Sequence, residues 1–187
     1  MTQMPHPNFV DTDTLTGEMH PIRRAVICLE SNLGERLSSL QGAVDSLKDT
    51  PEVWLTDVSP VYETASLGGP ADAPDYLNAI VLLDTTLSVH RLLERALAVE
   101  EAFGRERSTP NAPRTLDVDL IVVGDRRAND EQLTLPHPRA AERAFVLQPW
   151  FDLEPHAVIP GAGPIADLLK SVDTAGITRR DDAVLHA

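Results

Sequence analysis

The feature that most limits how this chain can fold is a short strand-forming segment that carries two aspartates. Residues 118–123 are mostly β-branched or aliphatic, which is typical of a buried strand. Asp117 and Asp119 are two residues apart, so a strand projects both carboxylates from one face. Like charges this close ionise together most easily around a cation, and Mg²⁺ prefers oxygen ligands. The segment therefore predicts a metal site, and the alternative interpretation is the solvent-facing side of an ordinary strand.

Arginines surround the two aspartates in the sequence. Arg105 and Arg107 precede them, and Arg114 stands three residues before Asp117. The planar guanidinium matches phosphate oxygens, while carboxylates hold the metal that bridges those oxygens. This combination favours phosphoryl-group transfer from a nucleotide. The chain has no GxxxxGK[ST] sequence, which argues against a P-loop kinase.

Composition excludes several other classes of protein. The formal net charge of −13 argues against broad binding of nucleic acids or anionic membranes. The single cysteine, Cys28, lies in an apolar run, so we expect a small core residue and no intrachain disulfide. No apolar stretch approaches about 20 residues and no signal pattern opens the chain, so we expect a cytoplasmic protein.

Patterning along the chain predicts a single α+β domain. We expect a flexible N-terminal extension at 1–23, a folded domain at 24–175 and a C-terminal tail at 176–187. The predicted elements are a strand at 25–29, a helix across 37–47, extended chain at 53–64, a strand at 76–86, a helix at 87–103, the aspartate strand, extended surface chain at 133–139, a short helix starting at 140 and a last helix at 165–169. This order matches a split βαβ arrangement, with helices on one face of a mainly antiparallel sheet. The other face is then expected to be open to ligand.

Six sequence blocks stand in a fixed order between residues 24 and 161. They are Ser31-Asn32-Leu33-Gly34, Ser59-Pro60-Val61-Tyr62-Glu63-Thr64, Asp75-Tyr76-Leu77-Asn78-Ala79, Glu100 with Gly104-Arg105-Glu106-Arg107, Pro113-Arg114-Thr115-Leu116-Asp117-Val118-Asp119, and Leu135-Pro136-His137-Pro138-Arg139 with Arg143-Ala144-Phe145-Val146-Leu147. Together they resemble the 6-hydroxymethyl-7,8-dihydropterin pyrophosphokinase family of folate biosynthesis. The resemblance implies a monomeric ferredoxin-like βαββαβ sandwich. It also implies that pyrophosphate passes from ATP to the hydroxymethyl group of a reduced pterin, with release of AMP.

The resemblance further implies a role for each matched residue. Asp117 and Asp119 would hold two Mg²⁺ ions and, with Arg105 and Arg114, would be catalytic. The nucleotide would lie among Glu100, Arg107, Leu120, Leu133, Thr134, His137 and Arg143. The acceptor would be bound by Thr64, Leu67, Tyr76, Asn78 and Phe145, with its ring stacked between the two aromatic side chains. The alternatives are a turn-capping role for His137, a solvated surface for the arginines and core packing for the aromatics.

Three positions depart from the usual pattern of the family. Glu30 stands where glycine is usual, Ala65 stands where a proline is usual, and the loop at 108–112 lacks an Arg-Trp-Gly sequence. These changes fall mainly on the acceptor and lid side. Two alternatives therefore stay open: a paralogue that pyrophosphorylates a different hydroxylated heterocycle, and a catalytically silent nucleotide- or pterin-binding module. A third is an interaction protein that works through its acidic surface and residues 1–23.

Overall fold

The computed structural model describes residues 20–66, 73–104 and 115–187. Its strands are β1 (Arg23–Ser31), β2 (Val53–Val58), β3 (Tyr62–Thr64), β4 (Tyr76–Thr85), β5 (Asp117–Val123), β6 (Ala128–Asn129), β7 (Thr134–Leu135), β8 (Val158–Ile159), β9 (Gly163–Pro164) and β10 (Ile177–Arg179). Its helices are α1 (Arg36–Lys48), α2 (Val89–Ala102), α3 (Ala144–Leu153) and α4 (Ile165–Leu169), with a 3-10 helix at Ala140–Glu142. No helix within these ranges has the length and apolarity that a membrane span needs.

Six strands form the main sheet around β1. β1 pairs antiparallel with β4 on one side and with β5 on the other. The far edge of β4 pairs with β2 and with β3, and β10 then pairs with β3. Between β2 and β3, Ser59 keeps the ladder closed, because its N–H donates to Ile80 O at 2.9 Å and its Oγ accepts from Ile80 N at 2.8 Å. The predicted antiparallel sheet is confirmed.

Helices α1 and α2 cover one face of this sheet, as the sequence predicted. Leu40, Val44 and Leu47 recur at helical spacing on α1 and are buried against it. On α2 the corresponding buried residues are Leu92, Ala96 and Val99. Ser88 begins α2 as its N-cap by accepting a hydrogen bond from Arg91 N at 3.3 Å.

Helix α3 packs on the opposite face, with α4 packed against α3, so the expectation of helices on one face only is wrong. Cys28 and Ile80 point to this face and form a second buried cluster with Val146 and Trp150 of α3. The physical reason is that β1 and β4 are apolar at consecutive positions, not only at alternate ones, so both of their faces need cover. The sequence also predicts a loop at 151–160, whereas α3 continues to Leu153.

The C-terminal segment that we expected to be a tail contributes β10 to the sheet. Its continuation is tied down by Arg180, whose N–H donates to Val61 O at 2.8 Å. The Arg180 guanidinium also donates to Glu63 Oε2 at 2.8 Å, and the same oxygen accepts from Arg36 at 2.7 Å. One carboxylate of β3 therefore joins the start of α1 to the C-terminal segment.

Candidate active site

A row of polar side chains crosses four adjacent strands on the face that α3 covers. In register, Tyr62 of β3 lies opposite Asn78 of β4, Asn78 lies opposite Glu30 of β1, and Glu30 lies opposite Asp117 of β5. Residues paired in this way project from the same face with their Cβ atoms about 4.5–5.5 Å apart. The row therefore contains Asn78, a predicted acceptor residue, and Asp117, a predicted metal ligand, with Glu30 between them.

Three carboxylates converge at one end of this row. Glu30, Asp117 and Asp119 each place one oxygen so that the three oxygens lie within 4.8 Å of one another. Asp117 is only 3% exposed, whereas Glu30 and Asp119 are half-buried. The predicted convergence of the two aspartates is thus found, and a third acid joins them. An all-oxygen donor set of this kind fits a hard divalent cation such as Mg²⁺.

Cys28 lies beside these acids on the same strand face, opposite Asp119 in the register of β1 and β5. Burial raises the pKa of the Cys28 thiol well above its usual range, and Glu30, Asp119 and Asp117 raise it further. The Arg143 guanidinium acts in the opposite direction on this pKa. Cys28 is therefore a protonated core residue, as predicted.

His137 and Arg143 lie near the same acids. Burial lowers the pKa of His137, the Arg143 guanidinium lowers it further, and the Asp117 carboxylate opposes the shift. The His137 ring also accepts from Arg139 N through Nδ1 at 3.2 Å, so the turn-capping role that we held as an alternative is present as well. The Arg143 guanidinium carbon lies 5.4 Å from the centroid of the Phe145 ring, within cation–π range.

The acceptor end of the row is built around Asn78, which is fully buried. Its Nδ2 donates to Tyr62 O at 3.1 Å and to Thr64 Oγ1 at 3.0 Å. Its Oδ1 has no hydrogen-bond partner in the part of the chain that the structure describes. Tyr76 is half-buried, lies opposite Thr64 and projects from the same face as Asn78. A buried oxygen without a partner beside an aromatic ring suits a flat ligand that carries an N–H donor.

Sequence reasoning missed the link between this end of the row and α3. The Tyr62 hydroxyl donates to Asp152 Oδ2 at 2.5 Å. Burial and this carboxylate raise the pKa of Tyr62 to about 12. The signal available in the sequence was the position of Tyr62 two residues before Thr64, which places both on one strand face. This hydrogen bond joins α3 to β3 at Tyr62, the residue paired with Asn78.

Several residues that we predicted to lie around the nucleotide have side chains away from the acidic face. Leu120 follows Asp119 directly and therefore points to the α2 side, where Leu133 is also buried. Glu100 is buried on α2, and its Oε1 accepts from Val118 N at 3.0 Å. Thr134 is exposed. The predicted surface position is wrong for Leu133, because the segment 133–139 contributes buried leucines to the core.

The remaining predicted site residues lie outside the described residues. They are Leu67, Arg105, Arg107 and Arg114. The loop at 108–112 lies outside them as well. Their predicted roles stay predictions.

Comparison with known proteins identifies relatives over most of the chain. Residues 26–155 match the 7,8-dihydro-6-hydroxymethylpterin-pyrophosphokinase (HPPK) family. The 2-amino-4-hydroxy-6-hydroxymethyldihydropteridine pyrophosphokinase of Pseudomonas aeruginosa is 38% identical over 158 residues, which cover 84% of this chain and 97% of the relative. The protein of the same name from Methylorubrum extorquens is 39% identical over 156 residues, covering 83% and 98%.

Solved structures support the fold alone. The HPPK-DHPS A437G/K540E protein of Plasmodium falciparum, solved with pterin and p-hydroxybenzoate, superposes with a TM-score of 0.66 at 13% identity, covering 85% of this chain. This chain corresponds to only 45% of the length of that one. Taken with the matched residues, these findings show that the chain belongs to the 7,8-dihydro-6-hydroxymethylpterin-pyrophosphokinase family.

Proposed function

We propose that this chain transfers pyrophosphate from ATP to the hydroxymethyl group of 6-hydroxymethyl-7,8-dihydropterin and releases AMP. The observation that carries the proposal is the cross-strand row, which links the buried Asn78 amide to the carboxylates around Asp117. A flat acceptor read by Asn78 would direct a substituent toward those carboxylates, where the triphosphate would be bound. Family membership supplies the reaction, and the row supplies two adjacent half-sites for it.

In this proposal each half-site has its own task. Asp117 and Asp119 would hold Mg²⁺, which when bound neutralises charge on the triphosphate. Tyr76 and Phe145 would stack on the acceptor ring, while Asn78 would hold its edge. Holding the acceptor in one orientation removes much of the entropy cost of bringing its hydroxyl oxygen in line with the β-phosphorus.

Arg143 and His137 complete the phosphate side in this proposal. The guanidinium of Arg143 is a permanent cation, so it would stabilise charge that develops on the transferred group. His137 has its pKa lowered by burial and by Arg143, so it would act at neutral pH as an uncharged hydrogen-bonding group. Arg105, Arg107 and Arg114 are proposed to add further phosphate contacts on the evidence of sequence alone.

We further propose that the sheet is of the ferredoxin-like type. The chain order β1, α1, β2, β4, α2, β5 supports this, together with a spatial order in which β5, β1, β4 and β2 are neighbours. In this interpretation α3 and α4 are an additional layer, and β3 and β10 extend one edge.

The test is AMP formation from ATP and Mg²⁺ in the presence of 6-hydroxymethyl-7,8-dihydropterin, with the product mass measured. We expect AMP and a pyrophosphorylated pterin in equal amounts. Asp117→Asn should lose turnover while keeping its fold. Glu94→Gln, an exposed change on α2, should keep both its turnover and its fold. ATP binding without AMP would contradict the proposal and favour the catalytically silent module. AMP formation only with another hydroxylated heterocycle would identify a paralogue.

A further inference from the structure

Glu30 occupies the central position of the cross-strand row. It lies on β1, the strand around which the sheet is built, with Asn78 on one side and Asp117 on the other. β1 pairs with β4 without a shift at nine successive positions, and its shift against β5 lies at Val26 and Ile27, away from the row. The backbone of Glu30 is therefore fixed on both sides, and its carboxylate projects from a rigid platform.

The pairing of β1 with β5 places the Glu30 carboxylate next to the two aspartates. One Glu30 oxygen lies within 4.8 Å of oxygens of both Asp117 and Asp119. These side chains arise from two neighbouring strands, so the cluster is held by sheet hydrogen bonds and does not depend on a loop. Cation affinity rises with the number of charged oxygen ligands and with the rigidity of the site.

We propose that Glu30 is a third carboxylate ligand of the divalent cation held by Asp117 and Asp119, an inference that rests on the proposed function. The three acids would form a site of formal charge −3 that retains a divalent cation before ATP arrives. A site of two aspartates would depend more strongly on the triphosphate to supply ligands. Glu30 would thus shift part of the cation affinity from the nucleotide to the protein.

The experiment titrates Mn²⁺ alone into the full chain without ATP or acceptor and follows free Mn²⁺ by electron paramagnetic resonance. Glu30→Gln keeps the size of the side chain and removes its charge. Changes of groups that only support a metal ligand commonly weaken binding by about 10–100-fold. We therefore expect Glu30→Gln to raise the Kd for Mn²⁺ at least about tenfold. Glu30→Asp keeps the carboxylate but shortens the side chain, so its Kd for Mn²⁺ should lie between those of the unaltered chain and Glu30→Gln.

Two further variants make the result specific. Glu94→Gln makes the same chemical change at an exposed position of α2 and should leave the Mn²⁺ affinity unchanged. Asp117→Asn should weaken it at least as much as Glu30→Gln does. Circular dichroism on each variant establishes that the protein titrated is folded.

The possible outcomes separate this inference from the proposed function. Wild-type affinity in Glu30→Gln, with weakened binding in Asp117→Asn, would overturn the inference and leave the function standing. Wild-type affinity in both variants would overturn the inference and the metal assignment together. No Mn²⁺ binding by the unaltered chain would overturn the inference alone, because a site of two aspartates can depend on the triphosphate for its cation. AMP formation by the unaltered chain is measured separately and reports on the reaction alone.

Discussion

Replacing Asn78 with alanine should lower both stability and acceptor affinity, and the two losses have different structural causes. Asn78 is fully buried, and its Nδ2 donates to Tyr62 O and Thr64 Oγ1. Each of these hydrogen bonds contributes about 1 kcal/mol, and a buried acceptor left unpaired costs about 1–3 kcal/mol. Removal of Asn78 Oδ1, a buried acceptor without a partner among the described residues, offsets that penalty, so we expect the free energy of unfolding to fall by about 2 kcal/mol. In a chain of this size each kcal/mol corresponds to about 2–4 °C in Tm.

The loss of acceptor affinity comes from the other atom of the amide. Asn78 Oδ1 is buried and has no partner among the described residues, so we expect it to accept a hydrogen bond from the pterin. Its removal leaves a ligand donor unpaired, at a cost of about 1–3 kcal/mol. Since about 1.4 kcal/mol corresponds to a factor of ten, the Kd for the acceptor should rise about 5- to 150-fold. The affinity for ATP should not change.

Thr64→Val separates the two effects. It removes only the hydroxyl that accepts from Asn78 Nδ2 and keeps the main chain through which Thr64 is expected to contact the acceptor. It should therefore cost about 1 kcal/mol of stability and leave acceptor affinity within about twofold. Urea unfolding measures the first quantity, and fluorescence titration with the reduced pterin measures the second. Acceptor affinity within twofold of wild type in folded Asn78→Ala would refute the recognition role. Unchanged stability would refute the hydrogen-bond geometry.

Three further predictions follow from single contacts. Glu100→Ala should destabilise the chain by about 2–4 kcal/mol, because it leaves the buried N–H of Val118 without its acceptor. Glu100→Gln keeps an acceptor and should cost less. Urea unfolding measures both losses of stability, and the KM for ATP is measured separately. Gly42→Ala places a Cβ against the Phe103 ring, so it should destabilise the chain by about 1–2 kcal/mol. In a Phe103→Ala background the same change should instead stabilise by about 1 kcal/mol, and thermal unfolding of both pairs of variants measures this reversal. Tyr62 should ionise only at about pH 12, because burial and Asp152 disfavour the phenolate. An ultraviolet titration of Tyr62→Phe should lack the absorbance change near pH 12. The stability that the raised pKa confers should be lost as pH rises from about 10 toward 12.

Strand parity made much of the site predictable from sequence. Asp117 and Asp119 share one face, as do Tyr76 and Asn78, because a strand has a period of two residues. The same rule places the Leu120 side chain on the opposite face, although the resemblance implies that Leu120 lies near the nucleotide. What parity cannot give is which strands are neighbours. From sequence, Glu30 is therefore only a departure from the family pattern, and the pairing of β1 with β5 is what brings it to the aspartates.

The parts of the fold that sequence missed have weak local signals. α3 contains Pro149, which normally discourages a helix interior, so its continuation to Leu153 depends on packing against the sheet. β10 consists of Ile177, Thr178 and Arg179, of which the last two are exposed, so no apolar alternation marks it. Its pairing with β3 arises from tertiary contacts that a local pattern does not contain.

The cross-strand row also determines where the chain tolerates insertions and deletions. Removing one residue from β1 between the shift at Val26 and Glu30, with the pairing before the deletion kept, would bring Ser31 to the position opposite Asp117 and would turn the Glu30 carboxylate toward the α1 and α2 core. Such a protein would lose its core and its site in one step. Insertions and deletions should therefore be tolerated only in connections between elements, such as the one that joins β5 to β6. A chain that folds with this sheet register also has the polar row in place.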